Sequence, residues 1–208
     1  MSGTEDKLRL VIMVGLPGVG KTTVINLTSK KLSEKGYGVK VINFGDFMLN
    51  YLMSKGYVKN RDEIRKLPLR IQQEAQAKAA REMRKVFEEL ASKAEGKFIG
   101  IVDTHALIKT DTGLWPGLPK HVIEELRPHA IIIVEALPEE IVGRQLRDKT
   151  RYRADYAKPE LIKELLSLNR SFAIASAVLV GASVATVLNR EGKAEEAAEE
   201  VVKIIEKI

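Results

Sequence analysis

Gly15-Leu16-Pro17-Gly18-Val19-Gly20-Lys21-Thr22 decides the fold. The stretch fits G-x-x-x-x-G-K-[ST] in full, follows the apolar run Leu10-Val11-Ile12-Met13-Val14 and leads into the helical pattern Thr23-Val24-Ile25-Asn26-Leu27. Each part has a chemical reason. The glycines let backbone N–H groups turn inward around phosphate oxygens, Lys21 offers a point charge to the β- and γ-phosphates, and the Thr22 hydroxyl is a ligand for Mg²⁺. The helix that opens here adds the positive end of its dipole. A strand before and a helix after are the context that separates a nucleotide-binding P-loop from a chance Gly-rich turn, and residues Gly15 to Thr23 are the candidate ATP site.

Outward from that loop, four further Val- and Ile-rich runs have the look of buried parallel strands: Val39 to Asn43, Phe98 to Val102, Ala130 to Val134 and Val184 to Leu188, in addition to Leu8 to Val14. Helical patterns at Thr22 to Lys35, Leu69 to Ala94, Glu160 to Val180 and Ala194 to Lys207 separate or follow them. Strands alternating with helices imply right-handed βαβ units, so the expected fold is α/β: a P-loop NTPase with a five-stranded parallel sheet and helices on both faces. Its ligand belongs at the carboxyl ends of the strands. The 208 residues suit one domain. Residues 44–97 are too long for a loop and imply a helical insertion projecting from the sheet, whereas Thr112 to Pro119 reads as one irregular loop.

Composition narrows the class. Hydrophobic residues at 45% and charged residues at 30% describe a folded chain with a heavily charged surface. The absence of cysteine excludes disulfides, thiolate zinc sites and cysteine nucleophiles, and accords with a reducing cytoplasm. A formal charge of +6 suits polyanions. With aromatics at 5% and no extended basic face interleaved with them, nucleotides fit better than nucleic acid. The longest apolar stretch, Ala173 to Leu188, is below membrane-spanning length and is read as a buried helix end, a turn and a core strand.

Two aspartates fall where strands meet the ligand edge: Asp46, just after the second strand, and Asp103, at the end of the third. Both are candidates to hold Mg²⁺ through water, with Thr22 as the direct ligand; helix capping is the plainer role for each. The basic run Arg144 to Arg153 brings together Arg144, Arg147, Arg151 and Arg153, cations that repel one another unless an anion intervenes. Guanidinium groups closing over a transferring phosphoryl would stabilise its spread charge and exclude water, so residues 144–156 are read as a short lid. Arg170, further on, is either a lid partner or a surface cation. Arg65, His105 and Lys109 are candidates for gripping a second substrate, and Asp46 lies on the same side. A phosphate acceptor is already a nucleophilic anion, so no general base is required.

The ordered blocks Asn43-Phe44-Gly45-Asp46-Phe47-Met48, Arg61-Asp62-Glu63-Ile64-Arg65-Lys66-Leu67, Asp103-Thr104-His105-Ala106, Pro116-Gly117-Leu118-Pro119 and Arg147-Asp148-Lys149-Thr150-Arg151-Tyr152-Arg153 resemble the archaeal adenylate kinases, a nucleoside monophosphate kinase family. The resemblance implies the reaction ATP + AMP ⇌ 2 ADP with Mg²⁺, a cytoplasmic enzyme and a homotrimer. It also implies that residues 44–97 bind AMP and that the backbone near Asn189-Arg190-Glu191-Gly192 meets the ATP adenine. The sequence departs from the bacterial and eukaryotic pattern after Asp46 and after Asp103, where the AMP-phosphate arginines of those enzymes are missing, and Arg65 and Lys109 are put forward in their place. A P-loop kinase for another nucleoside monophosphate or a small alcohol is the nearest alternative, and an RNA-associated ATPase or nucleotide switch the more distant one.

Overall fold

The computed structural model describes residues 7–64, 66–110, 113–147 and 158–208. A five-stranded, all-parallel sheet has the order β2-β3-β1-β6-β7. Its strands are β1 (Leu8–Val14), β2 (Gly38–Asn43), β3 (Phe98–Asp103), β6 (Ala130–Glu135) and β7 (Ser183–Leu188). Between β3 and β6 lies a separate antiparallel hairpin, β4 (Leu107–Thr110) and β5 (Gly113–Pro116).

The central strand shows why both faces are covered. Leu8, Leu10, Ile12 and Val14 point into one core while Val11 and Met13 point into the other, and all six are buried. The first core is closed by α2 (Phe44–Ser54), α4 (Leu69–Lys93) and α5 (Lys120–Leu126), through residues such as Met48, Met83, Phe87 and Leu126. The second is closed by α1 (Lys21–Glu34) and α8 (Ala194–Lys207), through Val24, Ile25, Leu32, Val201 and Ile205. A short α3 (Arg61–Ile64) connects α2 to α4, α6 (Pro138–Arg147) follows β6, and α7 (Pro159–Val178) contributes to both cores.

Three expectations are corrected. Residues 112–119 are not one irregular loop, because Gly113–Pro116 pair with Leu107–Thr110 as a hairpin. Four-residue strands are too short to show a two-residue period against Gly and Pro. The last strand, β7, is an edge strand with only Val187 buried, not a core strand. The long insertion does not simply project, since Ala79, Met83, Phe87 and Ala91 of α4 pack into the same core as β1. The basic run starts on a helix: Arg144 and Arg147 form the last turn of α6, where they complement the helix dipole opposite Glu139 and Glu140 in its first turn. Residues 148–157 of the lid segment lie outside the described residues. No helix among the described residues is long and apolar enough to cross a membrane.

Candidate active site

The carboxyl ends of β1, β3 and β2 stand side by side, and the parallel register sets what meets there. Met13 is level with Asp103, and Asp103 with Asn43. β1 runs directly into the loop Gly15 to Gly20, which delivers Lys21 as the first residue of α1. Gly20 has φ +81°, and a Cβ there would lie 2.4 Å from the Asn189 side-chain nitrogen, so both backbone and space demand glycine.

Lys21 Nζ forms a buried ion pair with Asp103 Oδ1. Burial pushes the Lys21 pKa down to about 8, against the pull of the facing carboxylate. The other carboxylate oxygen, Oδ2, accepts a hydrogen bond from Asn43 Nδ2 at 2.9 Å. Asn43 Oδ1 in turn accepts from the Asp46 backbone N–H at 3.0 Å, capping α2. One amide therefore ties the carboxylate beside the P-loop to the start of the helix leading towards residues 61–66. Asn43 was not among the residues singled out from the sequence. An asparagine at a strand end reads as a turn former, and the strand register that places it beside Asp103 is not a local signal.

The remaining predicted residues divide by position. Thr22 and Thr23 are exposed on the first turn of α1, and Asp46 is exposed on the first turn of α2. His105 lies half-buried in the turn after β3. Its carbonyl is packed so closely against Gly117 that a Cβ there would lie 1.8 Å away, which fixes the base of the hairpin. Lys109 is on β4, with its side chain outside the described residues, as are Arg65, Arg151 and Arg153.

Arg144 is held against the outside of the P-loop. Its Nη1 donates to Val19 O at 3.1 Å and Gly18 O at 3.4 Å, its Nη2 to Asn189 O at 3.3 Å, and its Nε to Glu191 Oε2 at 2.8 Å. Arg147, two-thirds exposed, reaches the other oxygen of Glu191 at 3.0 Å. The Arg144 hydrogen bond, with Arg147 adding its charge, holds the Glu191 carboxyl below the usual range. Arg170 is not a bare surface cation: its guanidinium grips Glu135 through both oxygens, Nε to Oε1 at 2.7 Å, and Glu135 is buried at the end of β6. That fork anchors α7 beside the ligand edge.

A nucleotide-binding loop, a buried Lys–carboxylate pair and a parallel sheet with the phosphate-binding turn after its central strand define a P-loop α/β protein of the kinase type. A solved shikimate kinase from Bacteroides thetaiotaomicron shares this fold, with a TM-score of 0.54 over 95% of this chain and 98% of that one at 10% identity. A family model described as an AAA domain matches residues 14–163. Curated relatives narrow the assignment. An adenylate kinase of Saccharolobus solfataricus is 49% identical over 94% of this chain and 98% of its own length. Those of Pyrococcus furiosus and Methanocaldococcus jannaschii are 43% identical, over 95% of both chains, and 39% identical, over 96% of this chain and 99% of its own length. The chain belongs to the adenylate kinases, and is an enzyme of the nucleoside monophosphate kinase class.

Proposed function

We propose that this enzyme transfers the terminal phosphoryl group of ATP to AMP, reversibly, to give two ADP. The observation that carries the reading is the buried Lys21–Asp103 pair at the mouth of the P-loop, with Asn43 behind it. Such a site supplies a cation for the β- and γ-phosphates and a carboxylate beside them, and a phosphate acceptor, already a nucleophilic anion, requires no base.

The residues fit Mg²⁺. They are hard oxygen donors, a hydroxyl at Thr22 and carboxylates at Asp103 and Asp46, and the described residues contain no preformed cluster of three or more acidic or histidine ligands. That suits an ion held by one or two protein oxygens, water and substrate phosphates. When bound, Mg²⁺ neutralises developing charge on the β- and γ-oxygens. Thr22 is the direct ligand in this reading, with Asp103 and Asp46 reached through water.

With ATP bound, Lys21 would turn from Asp103 to the phosphates, and the Asp103 carboxylate would then be free to help hold Mg²⁺. Within Gly15 to Thr23, peptide N–H groups such as those of Gly18 and Gly20 hold the phosphate chain, since Pro17 has none and the Val19 N–H donates to Leu16 O. Arg147, Arg151 and Arg153 close over the transferring group, and Arg144 secures the loop from behind. On the acceptor side, residues 44–97 with Arg65, His105, Lys109 and Asp46 orient AMP for in-line attack by its phosphate. Catalysis is positioning and electrostatics.

Self-association as a homotrimer in the cytoplasm completes the reading. Residues 171–188 contain no charged side chain in a chain that is 30% charged, yet Ile174, Val178, Leu179, Val184 and Leu188 are exposed. An uncharged apolar face of this kind, ending in an edge strand, favours burial against another copy. Sedimentation of Val178→Asp should show monomer where the unaltered protein shows trimer; trimeric Val178→Asp would place the interface elsewhere.

The test of the activity is phosphoryl transfer from MgATP to AMP, GMP, CMP, UMP, shikimate and water. ADP formation that depends on AMP is expected. Transfer to another acceptor, or to water alone, would overturn the proposed substrate while leaving the fold intact.

A further inference from the structure

Three successive carbonyls of the phosphate-binding loop are engaged from outside by side chains of distant elements. Gln145 Nε2, on α6, donates to Pro17 O at 2.7 Å. Arg144 Nη1 reaches Gly18 O and Val19 O, at 3.4 and 3.1 Å. Asn189 Nδ2, just past β7, donates to Val19 O at 2.7 Å. Asn189 is itself fixed, because its backbone N–H donates to Glu135 O at 2.7 Å and its side chain is buried. In both Gln145 and Asn189 the amide oxygen is buried with no hydrogen-bond partner among the described residues, so each amide is anchored through its nitrogen alone.

A trans peptide is planar, with its C=O and the following N–H pointing in opposite directions. Holding Pro17 O outward therefore turns the Gly18 N–H inward, and holding Val19 O outward does the same for Gly20. The peptide between them is steadied within the loop, where the Val19 N–H donates to Leu16 O at 3.3 Å. Glycines at 18 and 20, with φ +95° and +81°, remove the side-chain restraint on these peptides, so some other agent has to set their orientation.

We propose that Gln145 and Asn189, with Arg144 between them, are positioning residues for the phosphate-binding loop: they hold the Pro17 and Val19 carbonyls outward and so keep the Gly18 and Gly20 N–H groups aimed at the phosphates of ATP. None of the three needs to touch the transferring group for this. The clamp spans two elements, α6 and the turn after β7, and Glu191 joins them by binding both Arg144 and Arg147 while its own N–H donates to Glu140 Oε1 at 2.9 Å. The idea rests on the P-loop being the ATP site.

The test is equilibrium binding of ATP and of AMP to the full chain carrying Gln145→Met or Asn189→Ala. Both changes remove the donor without altering charge, and Lys21→Ala is the control. Dissociation constants for ATP should rise about 5- to 20-fold in each variant. Those for AMP should stay within about twofold, and the unfolding midpoint within a few degrees. Unchanged ATP affinity in both variants would overturn the clamp. So would equal weakening of ATP and AMP with a lowered midpoint, which a merely structural role predicts. If Lys21→Ala also bound ATP normally, the P-loop assignment underneath would be the part that had failed.

Discussion

In the proposed reading, the two halves of the site are held by different means. On the ATP side, Lys21, Asp103 and Asn43 form one chain of partly buried contacts, and the loop's carbonyls are tied to Gln145, Arg144 and Asn189. On the acceptor side the candidate groups come from a turn, a four-residue strand and a four-residue helix with its flank: His105, Lys109 and Arg65. The difference follows from what each half has to recognise. A triphosphate chain is gripped by backbone N–H groups whose geometry must be set beforehand, and only a rigid sheet edge can do that. A monophosphate approaching from the other side can be met by long cationic side chains that adapt.

If that contrast is right, damage to the ATP side should lower turnover, whereas damage to the acceptor side should mostly raise the AMP requirement. The largest effect is expected for Asp103→Asn. It strips Lys21 of its counter-charge and removes a carboxylate from the proposed Mg²⁺ site, so kcat should fall on the order of 100-fold or more, read by initial rates at saturating substrates. A loss under tenfold would remove Asp103 from the site. Arg65→Ala, by contrast, should raise KM for AMP by about 10-fold or more while KM for ATP stays put; parallel changes in both constants would erase the distinction between the halves.

Asn43 sits on the seam. Asn43→Ser can still cap α2, because serine is a good N-cap, but it loses the amide donor to Asp103. About 10-fold lower kcat with an unchanged unfolding midpoint is expected, the size typical of losing a hydrogen bond to a group proposed to hold metal. A lowered midpoint with normal turnover would make Asn43 a cap and nothing more.

The mildest probe is pH. Lys21 has to be protonated to hold phosphate, and burial lowers its pKa to about 8 in the free enzyme. As pH rises through that value the charge is lost, so kcat/KM for ATP should be about fourfold lower at pH 8.5 than at pH 7. Bound phosphates hold the proton on Lys21, so kcat should show no such limb. A flat kcat/KM profile to pH 9.5 would mean that Asp103 outweighs burial.

What the sequence disclosed follows the same divide. The P-loop, its strand and its helix are contiguous, so the pattern Gly15 to Thr22 carried its own context, and β1, β3 and β6 were plain because strands buried on both faces are apolar throughout. The run Val184 to Leu188 has the same composition but lies at an exposed edge, for a reason that composition cannot show: strand order is set by the fold, not by the run itself. The hairpin and the seven-residue α5 were too short for periodicity to register. The roles of three neutral amides could not be read either. Asn43, Gln145 and Asn189 act through partners 60, 128 and 170 residues away in the chain, and only the fold brings them together.

The most direct measurement starts from ADP alone. Supplied with Mg²⁺ and ADP as the sole nucleotide, the unaltered protein should convert it to equal amounts of ATP and AMP, followed by phosphorus NMR, and Lys21→Ala should be slower by roughly 100-fold or more with unchanged circular dichroism. ADP left untouched by the unaltered protein, or broken down to AMP and free phosphate, would contradict phosphoryl transfer between two adenine nucleotides.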